Sequence, residues 1–243
     1  MMKNVKRFWL ACLTVVVSMT VLVTSAYAQT VFWEPLTSYN ASTWSKSDGY
    51  SNGGMFNCTW RANNVSFNGS GQMRLALTSP AWNTFDCAEY KTTFSSGYGL
   101  YEVNMKPAKN IGIVSSFFTY TGPSEGNPWD EIDIEFLGKD TTKVQFNYFK
   151  NGVGGHEQVV NLGFDASQGY HIYAFDWQAN SIKWYVDGVL KHTVTGSPST
   201  LPSTPGKIFA NIWNGTGVDG WLGAYNGANP LYADYDFIKY TSN

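Results

Sequence analysis

The chain has 243 residues, of which 43% are hydrophobic, 16% aromatic and only 14% charged. This many apolar side chains can build a full hydrophobic core, which excludes a disordered chain. With 16 basic against 18 acidic residues there is no positive excess, so nucleic acid is not expected as a partner.

Residues 1–28 have the pattern of a secretory signal peptide. A basic start precedes a mostly apolar run from Phe8 to Val23, and the small-x-small pattern Ala26-Tyr27-Ala28 follows. A membrane anchor is the alternative, but the run is short for a bilayer span. We therefore expect residues 29–243 to form a secreted domain that leaves the membrane after cleavage.

Cys58 and Cys87 are the two cysteines that remain outside the leader. An exported pair of this kind is expected to form a disulfide, which would stabilise the fold by about 3 kcal/mol. Two unpaired buried thiols are the alternative. A zinc site is not indicated, because no histidine cluster lies near either cysteine.

Short aromatic and β-branched runs with alternating polarity recur through the rest of the chain. The clearest are Gly99–Met105, Lys143–Phe149 and His171–Trp177. Ser181–His192 is typical of a hairpin with a type I′ turn at Asp187-Gly188. No segment has a convincing helical stripe. This density of strands predicts an all-β fold, a single antiparallel β-sandwich of the jelly-roll kind.

One predicted strand carries three acidic residues, Glu131, Asp133 and Glu135. A strand would bury the alternating Ile132 and Ile134 and place the three carboxylates together on the opposite face. Glycoside hydrolysis requires two carboxyl groups about 5–5.5 Å apart when one is the nucleophile, or about 6.5–9.5 Å apart when a water lies between them. The pattern is therefore compatible with a glycosidase site.

Spacing alone leaves a second interpretation open, in which the acids form the solvated polar face of an ordinary strand. A Ca²⁺ loop fits less well, since the 12-residue pattern with its central glycine is missing. The aromatic setting favours a sugar site, because Trp129 precedes the acids and sugars offer apolar C–H faces to aromatic rings. For any single aromatic residue, burial in the core is the competing explanation.

The string Asp130–Gly138 resembles the acid motif of glycoside hydrolase family 16. Similarity to the bacterial lichenases of that family, of the Bacillus and Paenibacillus type, extends over Tyr50–Gly54, Phe56–Ala62, Asp86–Tyr90, Val114–Tyr120 and Trp213–Gly217. The resemblance implies a curved jelly roll with substrate on its concave face. It also implies retaining hydrolysis of β-1,4 bonds next to 3-O-substituted glucose in mixed-linkage β-glucan.

Carried onto matching positions, the resemblance makes Glu131 the nucleophile, Glu135 the general acid/base and Asp133 an assisting group. The sugar subsites would be lined by Tyr50, Asn52, Phe56, Glu89, Phe118, Tyr120, Trp129, Asn147, Asn211 and Trp213. Lys91 stands where close relatives often have Arg, and Phe149 where they often have Tyr. Both departures bear on the subsites and leave the acid motif unchanged.

The resemblance further implies one structural Ca²⁺ on the convex side, bound by the carbonyls of Pro35 and Gly71 and by Asp236. A ligand set made only of oxygen atoms and completed by water suits calcium. Catalysis itself is expected to use no cofactor. A monomer that acts on β-glucan polysaccharide is expected.

Two other functions remain open. The first is a 1,3-β-glucanase or transglycosylase on the same scaffold, although the uninterrupted Glu-Ile-Asp-Ile-Glu favours the lichenase branch. The second is a non-catalytic glucan-binding module or lectin, since jelly rolls host both. The acid pair distinguishes them, because sugar binding alone needs no paired carboxyl groups. The sequence shows no repeats of the kind that would support a structural or adhesive surface protein.

Overall fold

The computed structural model describes residues 31–69 and 71–243. Its strands are β1 Val31–Glu34, β2 Trp44–Lys46, β3 Thr59–Trp60, β4 Val65–Phe67, β5 Met73–Ala81, β6 Thr84–Thr92, β7 Gly99–Lys106, β8 Ile113–Thr121, β9 Asp130–Leu137, β10 Lys143–Phe149, β11 Gln158–Asn161, β12 His171–Gln178, β13 Ser181–Val186, β14 Val189–Thr195, β15 Lys207–Asn214 and β16 Leu231–Ser242. A short helix, α1, spans Asp219–Leu222, and 3-10 turns lie at Ala62–Asn64, Pro123–Glu125 and Ala166–Gln168.

The predicted leader, residues 1–28, lies outside the described residues. Within the ranges that are described, no helix has the length and apolar character needed to cross a bilayer.

The strands form two layers joined by the β5–β6 hairpin. The first, called the cleft layer below, has the order β11-β10-β9-β8-β15-β6, and the second, called the back layer, has the order β5-β16-β7-β12-β13-β14. Neighbours within each layer are antiparallel. The predicted antiparallel β-sandwich in one domain is confirmed.

Contacts between the layers fix the position of β9. Phe146 of β10 stacks on Trp184 of β13 with ring centroids 5.6 Å apart. The same Trp184 donates its indole N–H to the carbonyl oxygen of Asp133 at 3.1 Å. Tyr235 of β16 donates its hydroxyl to the carbonyl oxygen of Ser116 at 2.9 Å. The back layer therefore holds the main chain of the acidic strand and of its neighbour β8.

The strands predicted from alternation are confirmed. β10 has the expected bounds, while β7 and β12 each extend one residue further. The hairpin between β13 and β14 turns at Asp187 and Gly188, whose φ angles are 48° and 75°. Positive φ at both central residues is what a type I′ turn requires.

The expected disulfide joins Cys58 to Cys87, with the two α-carbons 5.7 Å apart. Both residues are buried in the core. Cys87 lies in β6, two residues before Glu89. The bridge thus ties the segment that leads into β3 to the strand that carries a predicted subsite residue.

Candidate active site

The acid motif forms a strand whose two faces differ as predicted. Ile132 and Ile134 are fully buried in the core of the sandwich. Glu131, Asp133 and Glu135 alternate with them in β9 and therefore project from the outer face of the cleft layer. Asp133 is 3% exposed, while the flanking glutamates are half-buried.

Each acid of β9 is paired with residues of the neighbouring strands and so belongs to a row of side chains that runs across the cleft layer. Asp133 pairs with Asn147 of β10 and Phe118 of β8, and the row continues to Phe209 and Lys91. The Glu135 row contains Gln145, Ser116, Asn211 and Glu89, and the Glu131 row contains Phe149 and Tyr120. Paired residues share a face of the sheet. Five predicted subsite residues therefore lie on the same face as the acids, namely Glu89, Phe118, Tyr120, Asn147 and Asn211.

Trp129 orients the first acid. Its indole N–H donates to a carboxylate oxygen of Glu131 at 2.5 Å, while its ring stacks on Phe149 at 4.8 Å and an interplanar angle of 13°. The Trp129 carbonyl accepts the N–H of Gly152 at 2.8 Å. Gly152 has a φ of 78°, and a β-carbon there would lie 3.4 Å from the indole. The indole is therefore held in one orientation.

A two-step relay orients the last acid. The amide nitrogen of Gln145 donates to a carboxylate oxygen of Glu135 at 2.7 Å, and the indole N–H of Trp221 in α1 donates to the Gln145 amide oxygen at 3.1 Å. Because an indole N–H is only a donor, it requires the oxygen of the Gln145 amide to face it. The amide NH₂ must then face Glu135.

Burial dominates the protonation of the acids. It raises the pKa of Glu131 to about 7, although the hydrogen bond from Trp129 opposes the rise. Burial also raises the pKa of Glu135 to about 7, with the Gln145 hydrogen bond acting against it and the Glu131 charge adding to it. Burial and the charges of both glutamates raise the pKa of Asp133 well above its usual range. Near neutral pH the group of three carboxyls therefore holds protons that isolated carboxyls would lose.

Two buried oxygen atoms in the middle of the site have no hydrogen-bond partner within the described ranges. One is Oδ2 of Asp133 and the other is Oδ1 of Asn147. The two residues are paired across β9 and β10. Most buried polar atoms in proteins are hydrogen-bonded, so these two oxygen atoms are exceptions, and both lie beside the acids.

Asp130, the first residue of β9, is a buried hydrogen-bond hub. Its carboxylate accepts main-chain N–H groups from Asn151, Ser203 and Thr204 at 2.9–3.0 Å and the ammonium group of Lys150 at 3.1 Å. Burial alone would raise the pKa of Asp130, but these donors lower it below its usual range. The hub fixes the β10–β11 and β14–β15 connections around the start of the acidic strand.

One end of the cleft is lined by aromatic rings. Phe56 packs against Trp213 with centroids 4.2 Å apart, and Trp60 donates its indole N–H to the side chain of Asn52 at 3.0 Å. Trp213 also lies 6.1 Å from the ring of Trp221. Three predicted subsite residues, Phe56, Trp213 and Asn52, are therefore brought together here.

A hydrogen-bonded chain joins Tyr50 to Glu89. The Tyr50 hydroxyl donates to Ser47 at 2.8 Å, and Ser47 donates to Glu89 at 2.6 Å. The ammonium group of Lys91 donates to the Tyr50 hydroxyl at 3.1 Å and lies 3.5 Å from the Glu89 carboxylate. Lys91, which stands where close relatives often have Arg, is thus the cation that links the predicted subsite residues Tyr50 and Glu89.

The remaining predicted subsite residues form an aromatic wall beside the acids. Phe118 stacks on Phe209 at 4.9 Å, and Tyr120 meets Trp129 edge to face at 6.3 Å. Trp129 leaves 37% of its surface exposed. An exposed indole beside two carboxyl groups offers a stacking surface for a sugar ring.

Three site residues escaped the sequence analysis. Gln145 and Phe209 each precede a predicted subsite residue by two positions in the same strand. Strand alternation places such residues on one face, so this signal was present. Trp221 reaches the site from α1, and nothing in the local pattern indicates that contact.

The predicted calcium ligands lie at the back layer. A β-carbon on Gly71 would lie 3.5 Å from the carbonyl oxygen of Pro35. Asp236 lies at the irregularity where β16 shifts register against β7, and its carboxylate accepts the amide of Asn104 at 2.9 Å. The described residues contain no cluster of three His, Cys, Asp or Glu side chains suited to a metal, and a carbonyl-based site would not form such a cluster.

Comparison with known proteins agrees with this geometry. The chain is 70% identical to a beta-glucanase of Paenibacillus polymyxa over 243 residues, which is 100% of both chains. The Bacillus licheniformis beta-glucanase structure superposes with a TM-score of 0.85 at 69% identity, over 88% of this chain and 98% of that one. A prokaryotic beta-1,3-1,4-glucanase (lichenase) from a mouse hindgut metagenome gives 0.83 at 54% identity, over 87% and 98%.

These likenesses confirm the curved jelly roll expected from the sequence. The family model for glycosyl hydrolases family 16 matches residues 52–233, a range that includes the acidic strand β9. The chain belongs to glycosyl hydrolase family 16.

Proposed function

We propose that the chain is a secreted endo-glucanase that hydrolyses β-1,4 bonds next to 3-O-substituted glucose in mixed-linkage β-1,3-1,4-glucan. The observation that carries the proposal is the acid row of β9, in which Glu131 and Glu135 each have a hydrogen-bond donor of their own. The beta-glucanase and lichenase names of the relatives support the substrate class.

The acid row supports a double displacement. The Glu131 carboxylate attacks the anomeric carbon while Glu135 gives its proton to the departing glycosidic oxygen, which leaves a glycosyl ester on Glu131. Glu135, now a carboxylate, then takes a proton from water as the water oxygen attacks the same carbon. The ester bond breaks, the Glu131 carboxylate is restored, and the anomeric configuration is retained.

The electrostatics of the site suit both steps. Burial and the Glu131 charge favour a protonated Glu135 before the first step. Once Glu131 is an ester its charge is gone, and the Gln145 N–H then stabilises the carboxylate that Glu135 must become. Asp133, held between them with a raised pKa, exchanges protons with the pair and so assists the first acid.

A family 16 hydrolase needs no catalytic cofactor. A structural Ca²⁺ is a separate proposal, supported by the position of the Pro35 carbonyl beside Gly71. Glu34 pairs with Ile238 across β1 and β16, so Pro35 lies close to Asp236. Two carbonyls and one carboxylate are hard oxygen ligands that suit calcium.

Secretion is proposed on two grounds. Residues 1–28 have the order of basic, apolar and small residues that signal peptidase recognises. The Cys58–Cys87 disulfide is of the kind that persists in oxidising compartments.

The Glu131→Gln substitution tests the enzyme function. Turnover of mixed-linkage β-glucan, measured as reducing ends, is expected to fall by at least about 10³-fold, because the amide is not a nucleophile. Polymer binding should persist. Unchanged turnover would exclude Glu131 as nucleophile.

Substrate controls are laminarin and a soluble cellulose derivative, run with the wild-type protein. Activity confined to the mixed-linkage polymer is expected. Cleavage of laminarin would assign a 1,3-glucanase, and a folded protein inactive on all three polymers would instead be a binding module.

Added azide distinguishes the roles of the two acids, since a Glu131→Ala enzyme should form an α-glycosyl azide and a Glu135→Ala enzyme a β-glycosyl azide.

The Gln145→Met substitution tests the relay. It removes the donor to the Glu135 carboxylate while keeping a side chain of similar length. The acid/base should then titrate about one pH unit higher, since a hydrogen bond to a charged group contributes about 1.5–3 kcal/mol. The measurement is the alkaline limb of the kcat/KM profile against pH. An alkaline limb that stays at its wild-type pH would contradict the relay. Trp221→Phe should move the alkaline limb in the same direction by a smaller amount.

The Asp133→Asn substitution is expected to stabilise the fold while lowering kcat. The folded-state pKa of Asp133 lies above its unfolded value. The folded protein therefore loses stability as the pH rises from the unfolded to the folded pKa of this group, and the loss of stability persists at higher pH. Removing the carboxyl should raise the melting temperature by several degrees at pH 8 and leave it unchanged near pH 3.5.

The matched control is Asp140→Asn, because hydrogen bonds from Lys143 and Thr142 lower the pKa of that exposed carboxyl. This variant should be slightly less stable than wild type at pH 8, the opposite sign. An Asp133→Asn protein that melts below wild type at pH 8 would contradict the account.

The calcium proposal predicts that millimolar CaCl₂ raises the melting temperature above its value in EGTA. A ligand at 100-fold over its Kd stabilises by about 2.7 kcal/mol, or about 5–11 °C for a domain of this size. Asp236→Asn should lose most of the shift and Asp140→Asn should keep it. Equal melting curves with and without calcium would exclude the site.

A further inference from the structure

A second concave surface lies outside the acid cleft. It is a cavity of about 530 Å³ between the tip of the β5–β6 hairpin and the chain that follows β15. Its lining includes Ser79, Trp82 and Phe85 from the hairpin and Thr216, Asp219 and Tyr225 from the chain after β15. None of these residues was assigned to the acid site above.

The rim carries an unusually exposed aromatic residue. Trp82, at the hairpin tip, is 96% exposed, so its indole adds almost nothing to the burial that stabilises the fold. Behind it, Phe85 and Tyr225 meet edge to face with centroids 5.0 Å apart. The cavity therefore combines a free aromatic face at its edge with two packed rings in its wall.

The polar lining indicates the chemistry of a ligand. Four asparagine side chains, a serine and a threonine line the cavity, and among these lining residues Asp219 is the charged one. Amides and hydroxyls donate and accept equally, so they match a neutral molecule with many hydroxyl groups better than an ion. An aromatic face at the rim suits the C–H face of a sugar ring.

The cavity adjoins the aromatic end of the cleft. Phe56, which packs on Trp213, forms a β-bridge with Gly215 of the cavity lining. The N–H of the adjacent Asn57 donates to the carbonyl of Asn214 at 2.9 Å. One pair of main-chain segments thus lies between the aromatic end of the cleft and the cavity.

We propose that this cavity, with Trp82 at its rim, is an additional binding site for a neutral β-glucan chain, outside the cleft in which the bond is cleaved. The proposal rests on the glucanase function, since it takes its ligand from the same polymer. Binding there would hold long substrates on the enzyme without contributing to the chemical step.

The test compares Trp82→Ala, Trp82→Phe and, as a matched loss of an indole, Trp33→Ala. Trp33 is 53% exposed and stacks on Phe237 at the back layer. Kinetics are measured on mixed-linkage polymer and on a short oligosaccharide of the same linkages. Migration through gels that contain the polymer is measured in parallel, with each variant also carrying Glu131→Gln.

Trp82→Ala should raise KM for the polymer about three- to tenfold, as expected for losing the burial of part of one aromatic ring. Its kcat, its melting temperature and its kinetics on the oligosaccharide should stay at wild-type values. Trp82→Phe should recover most of the polymer affinity, and Trp33→Ala should behave as wild type.

The proposal would be overturned if Trp82→Ala kept the wild-type KM for the polymer and the wild-type gel retardation. It would also be overturned if the KM for the oligosaccharide rose as much as the KM for the polymer, because Trp82 would then belong to the cleft. Failure of the glucanase function gives a different result, namely no hydrolysis by the wild-type protein. The gel assay would then still show whether Trp82 binds the polymer.

Discussion

The burial of three carboxyl groups on one face of β9 is the constraint on which the rest of the site depends. Carboxylates this close repel one another, and their partial removal from water raises the pKa values of Glu131 and Glu135 to about 7. An ordinary sheet gains nothing from this arrangement. It becomes useful when one acid must hold a proton, give it up and take it back during a single reaction.

Such an arrangement requires a rigid support, and the sandwich supplies it from both ends of the strand and from behind. Asp130 binds two loops around the start of β9, and Trp184 of the back layer holds the Asp133 main chain. Trp129 and the Gln145–Trp221 relay orient the two glutamates. Each donor limits the freedom of a group that electrostatic repulsion would otherwise displace.

The alternating strands and the acid row were predictable because each has a local cause with a period of two, and the Asp187-Gly188 turn was predictable because Asp-Gly tolerates the positive φ angles of a type I′ turn. The same alternation would have located Gln145 and Phe209. Trp221 was not predictable, since its contact is made by a four-residue helix 76 positions further along the chain. The exposure of Trp82 is also hidden from the sequence, because a tryptophan at a hairpin tip is either packed or free according to neighbours far along the chain.

The most direct test of the central claim is the configuration of the anomeric carbon at the moment of cleavage. Proton NMR, recorded during the first minutes of hydrolysis of a mixed-linkage oligosaccharide by the wild-type protein, separates the α and β anomers of the new reducing end before they equilibrate. The double displacement through Glu131 predicts that the β anomer appears first and the α anomer grows in later. Initial formation of the α anomer would mean a single displacement by water, and Glu131 would not be the nucleophile.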